Sequence, residues 1–364
     1  MSGAAGKNPG LLDLVRPDLR QFAGYSSARK EASGGAIWLN ANESPWSVAG
    51  DQQALNRYPE PQPVALIERL ANLYAVQSGE LLVGRGSDEL IDLLVRALCR
   101  AGQDKVLVSS PTFGMYAVST RLQGAELIDV PLLAERGFAL NVEGIEAALD
   151  SRVKLVFVCS PNNPTGAAVS TDDLADLARR LQGRALVVVD EAYAEFSAQQ
   201  SALSLRPRFP HIAVLRTLSK AYGLAGARIG SLIADPALIA VLNAIMAPYP
   251  LPTPSVAAAL RGLDEKAVVL ARSRINLISE ERRRLAAELA QLPEVSRVWP
   301  SDANFLLLRC ADATAMYQRA QRAGIIIRRP AAHPALENCL RISIGTPEQN
   351  DALIAALRAT REAA

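Results

Sequence analysis

Histidine is almost missing from this sequence. His211 and His333 are the only two, which argues against a histidine-based triad or a histidine-rich metal site, so both are expected to be structural or exposed and no metal is expected. The four cysteines, Cys99, Cys159, Cys310 and Cys339, are scattered without CxxC spacing. They fit reduced thiols in or near the core of a cytoplasmic protein. Strong charge of either sign is also lacking. The net charge is +2, with acids and bases interspersed, and nothing suggests a nucleic-acid face or a basic membrane patch. No uninterrupted apolar run approaches membrane-spanning length, and Met1 to Gly10 carries no apolar signal core. Repeats and long low-complexity linkers are absent as well. Lysine is scarce beside arginine: Lys7, Lys30, Lys105, Lys154, Lys220 and Lys266 complete the set.

What is present is enough apolar residue for a sizeable core. A chain of 364 residues exceeds the usual single core, so one large domain with a smaller one is expected. Continuous apolar runs such as Leu155 to Cys159, Ala185 to Val189 and Ile212 to Leu215 alternate with helical stretches. Runs of this kind predict strands covered on both faces, hence an α/β fold with a mostly parallel sheet flanked by helices. Ile37-Trp38-Leu39 is expected to be a strand running into a polar turn. Pro248 to Pro254 marks a boundary. A long helix from Ser255 to about Leu292, interrupted near Gly262, follows it. Beyond lies an α+β pattern with strands at 305–308, 325–328 and 340–344. The division expected is an arm over 1–45 that joins the small domain, a large domain over 46–250 and a small α+β domain over 251–364.

Ligands of open α/β sheets bind beyond the carboxyl ends of the strands, and unusual residues gather at such ends here. Lys220 follows Ser219 where the run Ile212 to Leu215 gives way to small residues, with Arg228 eight positions on. Alone it could be a snorkelling surface lysine; where lysines are so few, a need for an amine is the sharper reading. Asp190 ends the run Ala185 to Val189, three residues before Tyr193; alone it could be a cap or a paired structural carboxylate. Gly84-Arg85-Gly86-Ser87-Asp88-Glu89 opens a helix, with Ser87 as the expected N-cap. That turn is either an ordinary loop or a phosphate cradle; it lacks the third glycine and the distal acid of a Rossmann motif. Asn40 and Asn42 could be turn residues, and Arg57 to Pro61 a plain linker.

Taken together these residues match the needs of pyridoxal phosphate. Lys220 supplies the amine that attaches the cofactor and later serves as a base. Asp190 keeps the ring nitrogen protonated. Tyr193 and Asn163 reach the ring hydroxyl, and Phe113 covers the ring face. Ser219, Arg228 and the turn at Gly86, Ser87 and Asp88 hold the phosphate, where a guanidinium fork suits the anion.

Leu39-Asn40-Ala41-Asn42-Glu43, Arg57-Tyr58-Pro59-Glu60, Ser160 to Gly166 (SPNNPTG), Asp190-Glu191-Ala192-Tyr193, Arg216 to Lys220 with Ala225-Gly226 and Arg228, and Leu340 to Thr346 carry a resemblance. From about residue 11 to 360 the chain resembles the fold-type I pyridoxal-phosphate aminotransferases, and within them the histidinol-phosphate aminotransferases. The resemblance implies the cofactor roles just given to Asn163, Asp190, Tyr193, Ser219, Lys220 and Arg228. It also implies a homodimer in which Tyr58 reaches the cofactor phosphate of the partner subunit. Arg341 would bind the carboxylate of glutamate or 2-oxoglutarate. Arg328, Arg341 and Tyr25 would receive the phosphate of histidinol phosphate, with Asn42 also at the substrate. Close relatives often carry tyrosine where Phe113 stands, so a hydroxyl is missing there. The rivals are an aromatic or broad-specificity aminotransferase, a phosphothreonine-type decarboxylase and a cofactor-sensing regulator. Regulators of that kind carry an N-terminal DNA-binding helical domain, and only a short arm precedes the motifs here, so the regulator is not the expected reading.

Overall fold

The computed structural model describes residues 10–28, 37–330 and 332–358. Its strands are β1 (Leu81–Arg85), β2 (Lys105–Val108), β3 (Glu126–Asp129), β4 (Val153–Cys159), β5 (Leu186–Asp190), β6 (Ile212–Thr217), β7 (Ile229–Ile233), β8 (Val295–Val298), β9 (Phe305–Cys310) and β10 (Cys339–Ser343). The helices are α1 (Val64–Tyr74), α2 (Ser87–Leu98), α3 (Met115–Leu122), α4 (Val142–Ala147), α5 (Thr171–Leu181), α6 (Pro236–Ile245), α7 (Thr253–Gly262), α8 (Glu265–Ala290), α9 (Ala313–Arg322) and α10 (Pro347–Arg358).

The first seven strands form one sheet in the order β1-β7-β6-β5-β4-β2-β3. All run parallel except β7, which is antiparallel to β1 and β6. Each central strand is apolar on both faces because both are covered. Leu155, Phe157, Leu186, Val188, Ala213 and Leu215 pack beneath α2 and α6. Their neighbours Val156, Val158, Val187, Val189, Ile212 and Val214 pack on the opposite face with Leu174, Leu177 and Leu181 of α5. Each such side chain taken from water contributes roughly 1.5–3 kcal/mol. The pairing is also fixed in register, with Cys159 beside Asp190 and Asp190 beside Leu215. The carboxyl ends of β4, β5 and β6 therefore sit side by side.

The second sheet, β10-β9-β8, is antiparallel. It packs on α9, α10 and the carboxyl half of α8 through Leu285, Leu289, Leu306, Met316, Leu340 and Leu353.

Several boundaries differ from the sequence expectation. Leu14 and Val15 pack into the large-domain cluster under the sheet, and Arg16 N–H donates to Ala97 O at the end of α2; this part of the arm belongs to the large domain. Helix α7 also stays there, since Ala259 packs with Leu66, Leu70 and Ile229. The small domain thus takes over along α8, whose N-terminus Asp264 caps through Ala267 N–H at 2.7 Å, rather than at 251. Residues 37–39 are not a strand, and Ile37 and Leu39 are 82% and 88% exposed. The strand expected at 325–328 reduces to one bridge, Arg328 to Arg341, because Ile327 alone of that run is buried. Strand β8 carries no apolar signature in the sequence, since its residues are only half-buried or exposed. Among the described residues no helix is long and apolar enough to cross a membrane.

Candidate active site

A cleft opens at the carboxyl edge of the large sheet. It is lined by Ser87, Asp88, Phe113, Asn163, Asp190, Tyr193, Ser219, Lys220 and Arg228, and also by Cys159, Ala192 and Thr217. Residues far apart in the sequence meet there because neighbouring parallel strands end at one edge.

Asp190 is the last residue of β5 and is almost wholly buried. Its Oδ2 accepts a hydrogen bond from Tyr116 Oη at 2.7 Å, and its Oδ1 accepts from Ala192 N–H at 3.1 Å. Burial nevertheless pushes its pKa up to about 6, and the acids Asp88 and Glu191 add to that push. A cationic group entering the cleft would reverse the shift. Tyr116 is itself fully buried, stacked on Phe157 with ring centroids 4.7 Å apart and set edge-on to Phe113 at 5.6 Å.

Lys220 lies just beyond β6 and is exposed to the open cleft. Its Nζ stands 5.6 Å from the centre of the Tyr193 ring. The cleft walls strip water from the amine, and Arg341 and Arg228 place positive charge near it; together these lower its pKa below the ordinary lysine value. Tyr193 is buried against Phe305 of the small domain, edge-on at 5.2 Å, and burial raises its pKa. Ser219 N–H donates to Thr217 Oγ1 at 3.1 Å, which closes the turn in front of the lysine.

The glycine turn has the form of an anion cradle. The N-cap of α2 is Gly86, with no side-chain cap, and Ser87 is the first helical residue rather than the expected cap. The first N–H groups of that helix therefore lack a capping acceptor, and the helix dipole adds positive potential. Arg228 faces the same turn with its backbone in the left-handed region at φ 54°, and its Nη2 donates to Asp88 Oδ2 at 3.0 Å. A Cβ on Gly86 would lie 2.6 Å from that Nη2, and one on Gly230 would lie 2.3 Å from Ser87 N. Two glycines thus let the guanidinium and the backbone donors converge.

Arg341, on β10, reaches across from the small domain. Its Nη1 donates to Asn163 Oδ1 at 2.5 Å, and its guanidinium lies 5.3 Å from the Phe305 ring centre. Burial and the nearby Arg328 lower its pKa. Arg328 is exposed and is tied to Arg341 through backbone hydrogen bonds of 3.0 and 2.8 Å.

The other expected residues stand apart within this chain. Asn42 and Tyr58 line a separate surface cleft with Arg57, Pro59 and Pro252, and Tyr58 stacks on Tyr249 at 4.4 Å. Tyr25 is 67% exposed, outside the cleft. Nothing in the sequence alone marks Tyr116 as a site residue. It stands three residues after Phe113, but only the fold shows that its hydroxyl meets Asp190.

The sequence model of the family Aminotransferase class I and II matches residues 30–357. A histidinol-phosphate aminotransferase of Xylella fastidiosa is 54% identical over 97% of both chains. One from Stenotrophomonas maltophilia is 53% identical over 97% of this chain and 98% of its own. The solved structure of the Sinorhizobium meliloti histidinol-phosphate aminotransferase in complex with pyridoxal-5'-phosphate superposes with a TM-score of 0.75 at 29% identity, covering 83% of this chain and 82% of that one. The chain therefore belongs to the class I and II aminotransferases and, within them, to the histidinol-phosphate aminotransferase family.

Proposed function

We propose that the chain is a pyridoxal-phosphate-dependent transaminase of histidine biosynthesis, exchanging the amino group of L-histidinol phosphate with 2-oxoglutarate to give imidazole-acetol phosphate and L-glutamate. The observation that carries this reading is the convergence on one cleft of a buried acid, Asp190, an amine, Lys220, and a guanidinium beside an uncapped helix N-terminus, Arg228 with Ser87. When bound, the cofactor supplies an aldehyde for covalent capture and a ring that accepts the electron pair left by a departing α-proton.

The chain's own residues do the rest. Lys220 provides the amine that holds the cofactor, and its depressed pKa favours the neutral form that captures a carbonyl and takes a proton. Asp190 supports a protonated ring nitrogen. Asn163 and Tyr193 serve the ring hydroxyl, and Phe113 its face. Arg228, Ser219 and the first-turn N–H groups at Ser87 and Asp88 hold the phosphate.

Arg341 takes the substrate carboxylate or phosphate, exchanging its bond to Asn163 for the anion. Arg328 and Tyr25 assist with the phosphate, and Asn42 completes the substrate side.

The unit of function on this reading is a homodimer. Ile37, Leu39, Trp46 and Val48 are 73–88% exposed, an apolar stretch that a second copy would cover. The same contact would bring Tyr58 to the partner's phosphate, which explains its place outside its own chain's cleft. Soluble small molecules are the only ligands this reading requires, and the cytoplasm is the compartment it fits.

Purified protein supplied with pyridoxal phosphate is expected to show a visible absorption band that Lys220→Ala abolishes, and to turn over histidinol phosphate with 2-oxoglutarate. A colourless wild type would remove the cofactor assignment. Because Phe113 offers no hydroxyl to a substrate, phenylalanine belongs in the same assay; if it outpaced histidinol phosphate, the enzyme would be a broad-specificity aminotransferase. Release of carbon dioxide from an amino-acid phosphate would indicate the decarboxylase instead.

A further inference from the structure

A serine, a histidine and an aspartate meet outside the cleft, across the seam between the two domains. Ser110 Oγ lies 2.5 Å from Asp129 Oδ2 and 3.1 Å from His333 Nε2. Ser110 N–H also donates to Asp129 Oδ1 at 2.9 Å. The order of bonds rules out a hydrolytic triad. His333 Nδ1 accepts Ala335 N–H at 3.1 Å, so the neutral ring carries its proton on Nε2 and donates it to Ser110. The serine hydroxyl then donates to Asp129. Nucleophile activation needs the reverse, a histidine nitrogen accepting the serine proton. What remains is a directed chain, histidine to serine to carboxylate, with every member supplied with a partner.

Its position gives it a use. Ser110 stands three residues before Phe113, in a turn whose Pro111 O and Thr112 Oγ1 both bond the side chain of Asn162, at 2.9 Å each. His333 stands five residues after Arg328, on the small-domain loop that leads back to β10 and Arg341. The chain therefore joins the turn carrying the flat wall of the cleft to the loop following the anion-binding arginines.

We propose that Ser110 and His333 form an interdomain latch that positions the small-domain loop, and with it Arg328 and Arg341, for anionic substrates. Both are positioning residues, since neither lines the cleft. The kinetic part of the test rests on the transamination reading; the exchange part does not.

The full-length holoenzyme is compared with His333→Ala, Ser110→Ala, the double variant and His333→Gln. A lost hydrogen bond of this kind predicts a KM for 2-oxoglutarate raised about 3- to 10-fold in each alanine variant, with kcat within about twofold and the cofactor absorption band unchanged. The double variant should be no worse than either single one, and glutamine, which can donate to Ser110, should restore part of the loss. Hydrogen exchange of the peptide covering Ala335 to Glu337 should rise in Ser110→Ala, which leaves the acceptor of Ala335 N–H in place, and rise further in the variants without His333, which remove that acceptor outright. Fully additive losses, or unchanged exchange in Ser110→Ala, would overturn the latch. A wild type inactive on histidinol phosphate would remove the proposed reaction, while the exchange result would still decide the latch.

Discussion

The Tyr116 hydroxyl donates a 2.7 Å hydrogen bond to the Asp190 carboxylate inside a fully buried pair. It is the larger of two hydrogen-bond contributions that oppose the upward pull of burial on Asp190. Removing it in Tyr116→Phe should raise the Asp190 pKa further above about 6. The apoenzyme would then hold Asp190 protonated at higher pH and pair less well with a cationic ring nitrogen. Cofactor affinity is expected to fall about 5- to 10-fold at pH 6–7, on the order of 1 kcal/mol, and less at pH 8.5. Fluorescence titration of the apoprotein at both pH values checks this; equal losses at both would mean that the hydroxyl acts only through packing.

Asp190 also links stability to pH in the cofactor-free protein. Its pKa is about 6 when folded against a reference of 3.8, so between those values the folded state binds more protons than the unfolded. Stability from this group is therefore lost as pH rises from about 4 to 6 and stays lost above. Asp190→Asn carries no charge to desolvate and keeps a side-chain oxygen and an amide for Ala192 and Tyr116. The apo variant should be more stable than apo wild type at pH 8, by no more than on the order of 3 kcal/mol, with the gap closing toward pH 4. Denaturant melts across that range measure it. Cofactor affinity should fall at every pH, and without a charge to keep the ring nitrogen protonated the stabilised protein should transaminate poorly.

Gly86 sits at φ 79°, and an added Cβ would meet the Arg228 guanidinium at 2.6 Å. Gly86→Ala must move the arginine or twist the turn. Cofactor affinity is expected to drop tenfold or more, while global stability falls by only about 1 kcal/mol. Added inorganic phosphate should compete with the cofactor in wild type and much less in the variant. A variant with unaltered phosphate competition would mean that the turn is no cradle.

These residues show why some of the molecule was legible before its fold was known and some was not. Asp190 and Lys220 stand out because a charge that ends or follows a buried apolar run is costly unless it is used. Their meeting follows from parallel strands ending at one edge. Tyr116 carries no such mark, since a tyrosine in a helix is usually core. The direction of β7 was equally silent, because its apolar run looks the same either way along the sheet. Ile37 to Leu39 misled for a related reason: an apolar stretch predicts burial without saying against what. Ser110 and His333, 223 residues apart, meet only because the small domain folds back over the large one.

The last relationship joins two motifs that the sequence presents separately. Glu43 is buried at its carboxylate. Its Oε2 pairs with Arg57 Nη1 at 2.8 Å, and its Oε1 accepts Tyr58 N–H at 2.6 Å. Arg57 Nη1 also donates to Trp38 O at 3.2 Å. One acid thus fixes the backbone of the residue proposed to serve the partner subunit's phosphate and braces the segment before it. Charge-assisted hydrogen bonds of this kind contribute roughly 1.5–3 kcal/mol each. Glu43→Ala should release the Tyr58 loop and weaken cofactor binding in the same sense as Tyr58→Phe. If Glu43 acts by placing Tyr58, the double variant should bind the cofactor little worse than Glu43→Ala alone. Fully additive losses of affinity would mean that Glu43 acts elsewhere. Glu43→Gln should fall between, since its amide oxygen can still accept Tyr58 N–H while its NH2 group faces the arginine donors without a charge to hold them.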